Sequence, residues 1–333
     1  MTLFNYPKIE PVVEVEKRPF WSVMIPTYNN SKYLEKALES ILKQDPGPDE
    51  MQIEVIDDCS TKDDPEEIVK KIGKNRVTFH RQPQNLGIGG NWNSCLQKTR
   101  GKWVHILHQD DFVMPGFYSR FKESLEKNSD VGAAFCRNIY VDENNNWKGF
   151  SSLERNTAGI LENWIEKIGV ECCMVCPAIV VKRSVYENLG GFHPKLVCAL
   201  DWDMWKRIAL HYPIWYEPQV LAGYRWHPIS TSSRLILTAT NISDARQAIE
   251  ISRAFLPAEL IEKSCDHHAI FAFYLAGELL RSQELAGALA QIQEGLKCSQ
   301  SQEVMQRLGA LLASPEGLPV LKKLAKLFLN FSE

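Results

Sequence analysis

No apolar run in the 333-residue chain approaches the ~18 residues a membrane-crossing helix needs; the longest, CCMVCPAIVV from Cys172 to Val181, stops well short. An excess of one charge is missing too. With 38 basic against 41 acidic residues the formal net charge is -3, so nothing argues for nucleic acid or an acidic partner, and any basic surface has to be local. The opening MTLFNYPKIEPVVEVEKRPF lacks a basic start followed by an apolar core, so no signal peptide is expected and a cytoplasmic protein is.

Without a secretion signal, the nine cysteines are expected as reduced thiols rather than a disulfide framework. Cys172, Cys173 and Cys176 have a spacing that can chelate zinc, but no second pair stands at ligand spacing. Thiols packed as small apolar groups on and beside a buried strand are the plainer reading. A dinucleotide fingerprint is lacking as well. Gly87, Gly89 and Gly90 are shifted from G-x-G-x-x-G, and the helix after them follows a third strand rather than a first, so they read as a loop whose small residues let backbone approach a ligand.

What is present is a globular composition, 44% hydrophobic, long enough for one large domain or two smaller ones. The first 150 residues alternate strand and helix patterns. WSVMIP (Trp21 to Pro26) is short, apolar and closed by proline, as a buried parallel strand would be. In SKYLEKALESILKQ, residues Leu34, Ala37, Leu38, Ile41 and Leu42 share one helical face. MQIEVID is the second strand, and DDPEEIVKKI opens a helix with Asp64 as N-cap and Pro65 at its first position, which makes Asp63 and Asp64 structural. RVTFH, NWNSCLQKTR and KWVHIL supply a third strand, a third helix and a fourth strand. Repeated β-α units of this kind predict an α/β protein with a mostly parallel sheet and helices on both faces.

Ligands of such sheets bind beyond the carboxyl ends of the strands. The polar residues follow that geography. Thr27, Tyr28 and Asn29 come after strand one, Asp57 and Asp58 after strand two, QPQNLGIGGNWN after strand three, and His108, Gln109, Asp110 and Asp111 after strand four. The last run is electrostatically odd, because adjacent carboxylates repel unless a cation or hydrogen bonds take up the charge. A solvated turn before Pro115 is the alternative to a functional site there.

The ordered segments SVMIPTYNNSKYLEKALESIL, EVIDDCSTKD, NLGIGGNWN, LHQDDFVMPGF, VYENLGGF, ALDWDMWKRIA and YRWHPISTSS resemble the inverting glycosyltransferases of family 2, which have the GT-A fold, from about Trp21 to Ser233. The resemblance implies that Thr27, Tyr28 and Asp58, with Asp57 beside them, hold the nucleobase and ribose of a nucleoside-diphosphate sugar such as a UDP-sugar. Asn85, Gly87 and Asn93 would lie near that donor, and Asp110 would contact its ribose or sugar. Asp111 would bind Mn2+ or Mg2+, with His227 completing the metal site, and Asp201 would be the general base.

A divalent ion bridging the phosphates answers the charge of a diphosphate leaving group, and carboxylates suit such hard ions. A base taking the acceptor's proton then permits one displacement that inverts the anomeric centre. Each residue also has a plainer role. Asp201 and Asp203 suit any helix N-terminus, His227 suits a structural histidine, and Asp57 suits a buried loop anchor. Two positions depart from the family pattern: His108 stands where an acid often opens the metal motif, and Leu200 where a glutamate often precedes the base. Processive synthases carry Gln-x-x-Arg-Trp, whereas Ala222 precedes Arg225 and Trp226 here, so transfer of a single sugar is expected.

The expected organisation is a catalytic domain over 1–237, with a nucleotide half at about 20–130 and an acceptor half at about 131–237, followed by a helical region over 238–333. Acceptor choice, of a carbohydrate or a lipid-linked chain, is expected between Asp142 and Val197. SDARQAIEISRAFL, HHAIFAFYLAGELLRSQ, ELAGALAQIQEGLK and VLKKLAKLFLNF read as helices. The last puts Val320, Leu321, Leu324, Leu327, Phe328 and Phe331 on one face, a pattern that fits peripheral contact with an anionic membrane and equally packing on its own domain or on a second copy. Two other functions stay open from the residues alone. A sugar nucleotidyltransferase would need a basic loop after strand one, where PTYNN offers only Lys32, and a scaffold protein could keep the donor pocket without turnover.

Overall fold

The computed structural model describes residues 6–12, 17–228 and 230–318. These fall into two compact units, residues 1–168 with 172–226, and residues 169–171 with 227–333. The segment 320–331 read as an amphipathic helix lies outside the described residues.

Ten strands of the first unit form one sheet: β1 (Trp21–Thr27), β2 (Met51–Asp57), β3 (Thr78–Arg81), β4 (Trp103–Ile106), β5 (Phe112–Val113), β6 (Ala133–Val141), β7 (Trp147–Phe150), β8 (Gly159–Ile160), β9 (Ile179–Lys182) and β10 (Ile214–Arg225). Their spatial order is β3-β2-β1-β4-β9-β6-β10-β5, with β7 on β6 and β8 on β10. Strands β1 to β4 are parallel throughout, β1 lying between β2 and β4 and β2 beside β3. Beyond it β9 runs antiparallel to both β4 and β6, while β10 returns parallel to β6.

Among the described residues, seven α-helices accompany this sheet: α1 (Leu34–Leu42), α2 (Pro65–Ile68), α3 (Gly87–Lys98), α4 (Phe117–Lys127), α5 (Trp164–Ile168), α6 (Arg183–Leu189) and α7 (Leu200–His211). All seven residues of β1 are buried, as a central strand covered on both faces requires. Val23 and Ile25 pack with Ile53, Val55 and the Leu34, Leu38 and Ile41 face of α1, while Met24 and Ile56 meet Cys95 of α3. At α2 the Asp64 side chain accepts from Glu66 N–H at 3.1 Å, the cap read from the sequence. Asp63 likewise accepts from Ser31 N–H at 2.6 Å.

One local reading is corrected. The glycine run expected as a loop is the first turn of α3, which begins at Gly87 rather than Asn91. Gly87 takes φ +73°, a left-handed entry open to glycine, and the chain turns straight into the helix from there.

The second unit is helical over α8 (Thr231–Leu237), α9 (Thr240–Ser252), α10 (Ala258–Arg281), α11 (Leu285–Cys298) and α12 (Gln302–Ala313). Ala269, Phe273, Ala276 and Leu279 of α10 pack with Ala288 and Ile292 of α11 and Val304 and Leu308 of α12. Sequence reading did not single out α12, although Ser301 caps it by accepting from Val304 N–H. Among the described residues no helix is long and apolar enough to cross a membrane.

Candidate active site

Parallel pairing of β1 and β2 sets Thr27 opposite Asp57, and pairing of β2 with β3 sets Asp57 opposite Arg81. The side chains use that register. Asp57, fully buried, accepts from Thr27 Oγ1 at 3.3 Å, from Ser60 N–H at 3.2 Å and from Arg81 Nε at 2.7 Å. A buried carboxylate so enclosed organises its own turn. Asn29, at φ 48°, reaches across to accept from the N–H groups of Thr61 and Lys62 at 2.8 and 2.9 Å. Tyr28, 46% exposed, exchanges main-chain hydrogen bonds with the Gln109 amide, which ties the first loop to the fourth.

Asp58 stands next to this anchor and faces the third loop. Its Oδ1 accepts from Leu86 N–H at 2.8 Å, and Asn85 Nδ2 donates to the Asp58 carbonyl at 3.2 Å. Burial raises its pKa, against the pull of the Leu86 and Gly87 N–H groups. Asn85 also accepts from Gly87 N–H at 3.2 Å. Asn93 is engaged elsewhere: its amide donates to Phe192 O at 3.0 Å and accepts from Phe192 N–H at 2.8 Å. That clasp needs the glycine before Phe192, because a Cβ on Gly191 would sit 2.2 Å from Asn93 Oδ1.

At the end of β4 the acidic motif closes on itself. Asp111 is buried; its Oδ1 accepts from Arg225 N–H at 2.8 Å, and its Oδ2 lies 3.5 Å from His108 Nδ1. Among the described residues neither Asp111 Oδ2 nor His108 Nε2 has a hydrogen-bond partner. Burial pushes the Asp111 carboxyl up to about 6, opposed by His108 and by the Arg225 N–H. For His108 burial works against protonation, yet the carboxylates of Asp111, Asp110 and Asp201 outweigh it and raise its pKa. The imidazole lies against Trp92 of α3, ring centroids 4.8 Å apart and planes tilted by 33°. Potential ligand atoms of His108, Asp110 and Asp111 lie within 4.8 Å of one another. One nitrogen and carboxylate oxygens, with the buried His108 Nε2 lacking a partner, form a donor set that fits Mn2+ or Mg2+.

Arg225, at the end of β10, was met in the sequence only as part of a processive signature. Its buried guanidinium donates from Nε to Asp110 O at 3.0 Å and from Nη1 to Asp142 O at 2.9 Å, and lies 4.5 Å over the Tyr33 ring. No local pattern could announce this, because every partner is distant in the chain.

α7 carries two acids with different surroundings. Asp203 is fully buried, accepting from Arg207 Nε at 3.0 Å and Tyr6 Oη at 3.2 Å, and Arg207 in turn donates to Leu189 O and Gly191 O. Asp201 is only partly covered: Oδ1 accepts from Trp202 N–H at 2.7 Å, and Oδ2 faces Cys176 Sγ at 3.8 Å. Burial raises its carboxyl to about 6, against the lowering effects of the Trp202 N–H, His108 and Cys176. Leu200, where the family pattern has a glutamate, is buried. His227 is the first residue of the second unit after Trp226; its ring is buried, and its carbonyl accepts from Ser230 N–H and Ser233 Oγ.

The fold is shared with solved glycosyltransferases. S. aureus TarS 1–349, solved in complex with UDP-GlcNAc, superposes with a TM-score of 0.58 at 17% identity, covering 83% of this chain and 90% of that one. Mannosyltransferase PcManGT from Pyrobaculum calidifontis, in complex with GDP-Man and Mn2+, gives 0.55 at 19% identity, covering 94% and 86%. In sequence, the uncharacterized glycosyltransferase MJ1057 of Methanocaldococcus jannaschii is 31% identical over 218 residues, 64% of this chain and 73% of its own. The mostly parallel sheet is the GT-A architecture that the sequence resemblance implies. Residues 22–190, half of the chain, match the model of glycosyl transferase family 2, and the protein belongs to that family of glycosyltransferases.

Proposed function

We propose that the protein is a metal-dependent inverting glycosyltransferase that moves one sugar from a nucleoside-diphosphate sugar to an acceptor hydroxyl, in the synthesis of a surface polysaccharide or another glycoconjugate. The observation that carries this reading is the acid cluster at the end of β4, where ligand atoms of His108, Asp110 and Asp111 lie within 4.8 Å of one another, His108 Nε2 is buried without a hydrogen-bond partner, and the Asp201 carboxylate acts on the same imidazole. An unpaired buried nitrogen beside two carboxylates is costly unless a ligand or ion takes it up, which supports a metal at this cluster.

In this reading Thr27, Tyr28 and Asp58 hold the base and ribose, Asp57 fixes the turn that presents them, and Asp110 contacts the ribose or sugar. Asn85 and Gly87 border the donor, and Asn93 supports that wall through Phe192. Asp111 holds Mn2+ or Mg2+, with His108 and Asp110 as further donors. The bound ion would neutralise the charge that gathers on the departing diphosphate.

Asp201 supplies the proton transfer. Its carboxylate takes the acceptor hydroxyl's proton as that oxygen forms a bond to the anomeric carbon, while the bond to the diphosphate breaks on the opposite face. One displacement of this kind inverts the configuration and needs no carboxylate nucleophile. Alanine at 222, where processive synthases carry glutamine, supports single transfer. The acceptor is a carbohydrate or a lipid-linked chain met at the inner face of the membrane.

The test is a thermal-shift panel of UDP, dTDP, GDP and their sugars, with and without Mn2+. A ligand at ~100 times its dissociation constant adds about 2.7 kcal/mol of stability. A metal-dependent shift with one nucleotide is expected; no shift with any nucleotide overturns the reading in favour of a scaffold.

A further inference from the structure

Among the side chains near Asp201, Cys176 belongs neither to its own helix nor to the acidic motif. Cys176 opens the turn Cys176–Ala178 that leads into β9, and its Sγ lies 3.8 Å from Asp201 Oδ2. Because β9 runs antiparallel to β4, it is the start of β9, not its end, that reaches the carboxyl edge of the sheet. A residue preceding a strand thus arrives where the other site residues follow one.

The turn is firmly seated. His105 on β4 bridges Tyr118 Oη and Pro177 O at 3.0 and 3.1 Å, and burial holds its imidazole neutral, with the pKa down to about 3. Ala178 N–H closes on Val175 O at 3.0 Å, and Cys136 Sγ reaches Ala178 O at 3.6 Å. Cys176 itself is 3% exposed, and burial drives its thiol well above the ordinary range, so it remains an S–H donor at neutral pH. Facing a carboxylate, a thiol in that state has one useful role.

We propose that Cys176 is a positioning residue for the general base: its S–H donates to Asp201 Oδ2 while Trp202 N–H holds Oδ1, and the two together fix the carboxylate that receives the acceptor's proton. The inference rests on the reading of Asp201 as that base. A donor here stabilises the anion over the acid and limits rotation about the Cβ–Cγ bond, the two properties a base needs fixed before an acceptor arrives.

Carbon-13 NMR of protein labelled at aspartate Cγ, with Asp201→Asn to assign the signal, follows the Asp201 titration in wild type, Cys176→Ala, Cys176→Val and Cys176→Ser. Alanine and valine lack a donor, and valine keeps the volume if the alanine variant fails to fold; serine restores a donor. Expected is a midpoint about half a pH unit above wild type in the alanine and valine variants, with serine returning it most of the way, from the size of one weak hydrogen bond. Unchanged midpoints in folded valine protein, or equal shifts in serine and valine, overturn the proposal. The base assignment fails by a different result, transfer retained by Asp201→Asn, so the two readings are separable.

Discussion

The main-chain N–H of Arg225 donates to Asp111 Oδ1 across 2.8 Å, joining the last residue of β10 to a loop 114 residues earlier in the chain. One carboxylate oxygen is thereby fixed by backbone while the other is left to His108. Asp111→Asn keeps an acceptor for Arg225 but loses the charge. The variant should fold with near wild-type stability and lose the Mn2+-dependent part of nucleotide binding, read by calorimetric titration with and without the ion; undiminished metal dependence would remove Asp111 from the metal site.

Truncating the Arg225 side chain acts through the fold. Its guanidinium is buried and bonds two carbonyls, Asp110 O and Asp142 O. Arg225→Ala leaves both without their donor, and charge-assisted hydrogen bonds contribute about 1.5–3 kcal/mol each. Urea denaturation should show a loss of roughly 3 kcal/mol, and Arg225→Lys, which cannot form the fork, should recover little of it.

Asp201 and Asp203 should separate cleanly. Asp201→Asn is expected to keep donor binding and to lower transfer at least 100-fold, the lower end of what a general base contributes. Asp203→Ala should instead cost about 3–5 kcal/mol of stability, because it strands the buried Arg207 charge. Equal stability of the two variants in denaturant would contradict this division.

Raising the Asp201 carboxyl to about 6 has two consequences of opposite sign. The base must be ionised to work, so kcat/KM should fall about tenfold per pH unit below pH 6. Folded protein holds the proton more tightly than the unfolded chain, whose carboxyl titrates near 3.8, so this group's contribution to stability declines as pH rises through 6. Above that pH Asp201→Asn should therefore be at least as stable as wild type, by up to about 3 kcal/mol. A destabilised variant at pH 8 would count against the burial argument.

The adjacent acids of the second loop offer a similar contrast. Asp57 holds Arg81, Ser60 and Thr27, so Asp57→Ala, which leaves the half-exposed Arg81 with Asp64, should cost about 1–3 kcal/mol. Asp58→Asn should leave the melting temperature nearly in place and weaken nucleotide binding, measured by the same titration. Loss of binding in neither variant would take the donor away from this loop.

The nucleotide half was legible because its strands are short, apolar and followed by helices with one greasy face, so that Trp21, Met51 and Trp103 each open a recognisable run. Asp64 announced its cap through the proline after it. The helix entry at Gly87 was hidden, since a glycine-rich turn has the same composition as a loop. From β6 onward the pattern fades: β7, β8 and β9 are two to four residues long, and although β7 pairs back on β6, β8 and β9 pair with strands that are not their neighbours in sequence. Arg225 and Cys176 had no local signature at all, because what makes each matter is a partner brought from another part of the chain.

The antiparallel strand β9 has a further result. After β6 the chain leaves the carboxyl edge at Val141, wanders through Asp142 to Val175, and comes back to that edge to begin β9. Departure and return on one side make this stretch a cassette. Exchanging it would leave the pairing of β1 with β2 and β4, and of β2 with β3, untouched, because its own strands β7 and β8 pair with β6 and β10.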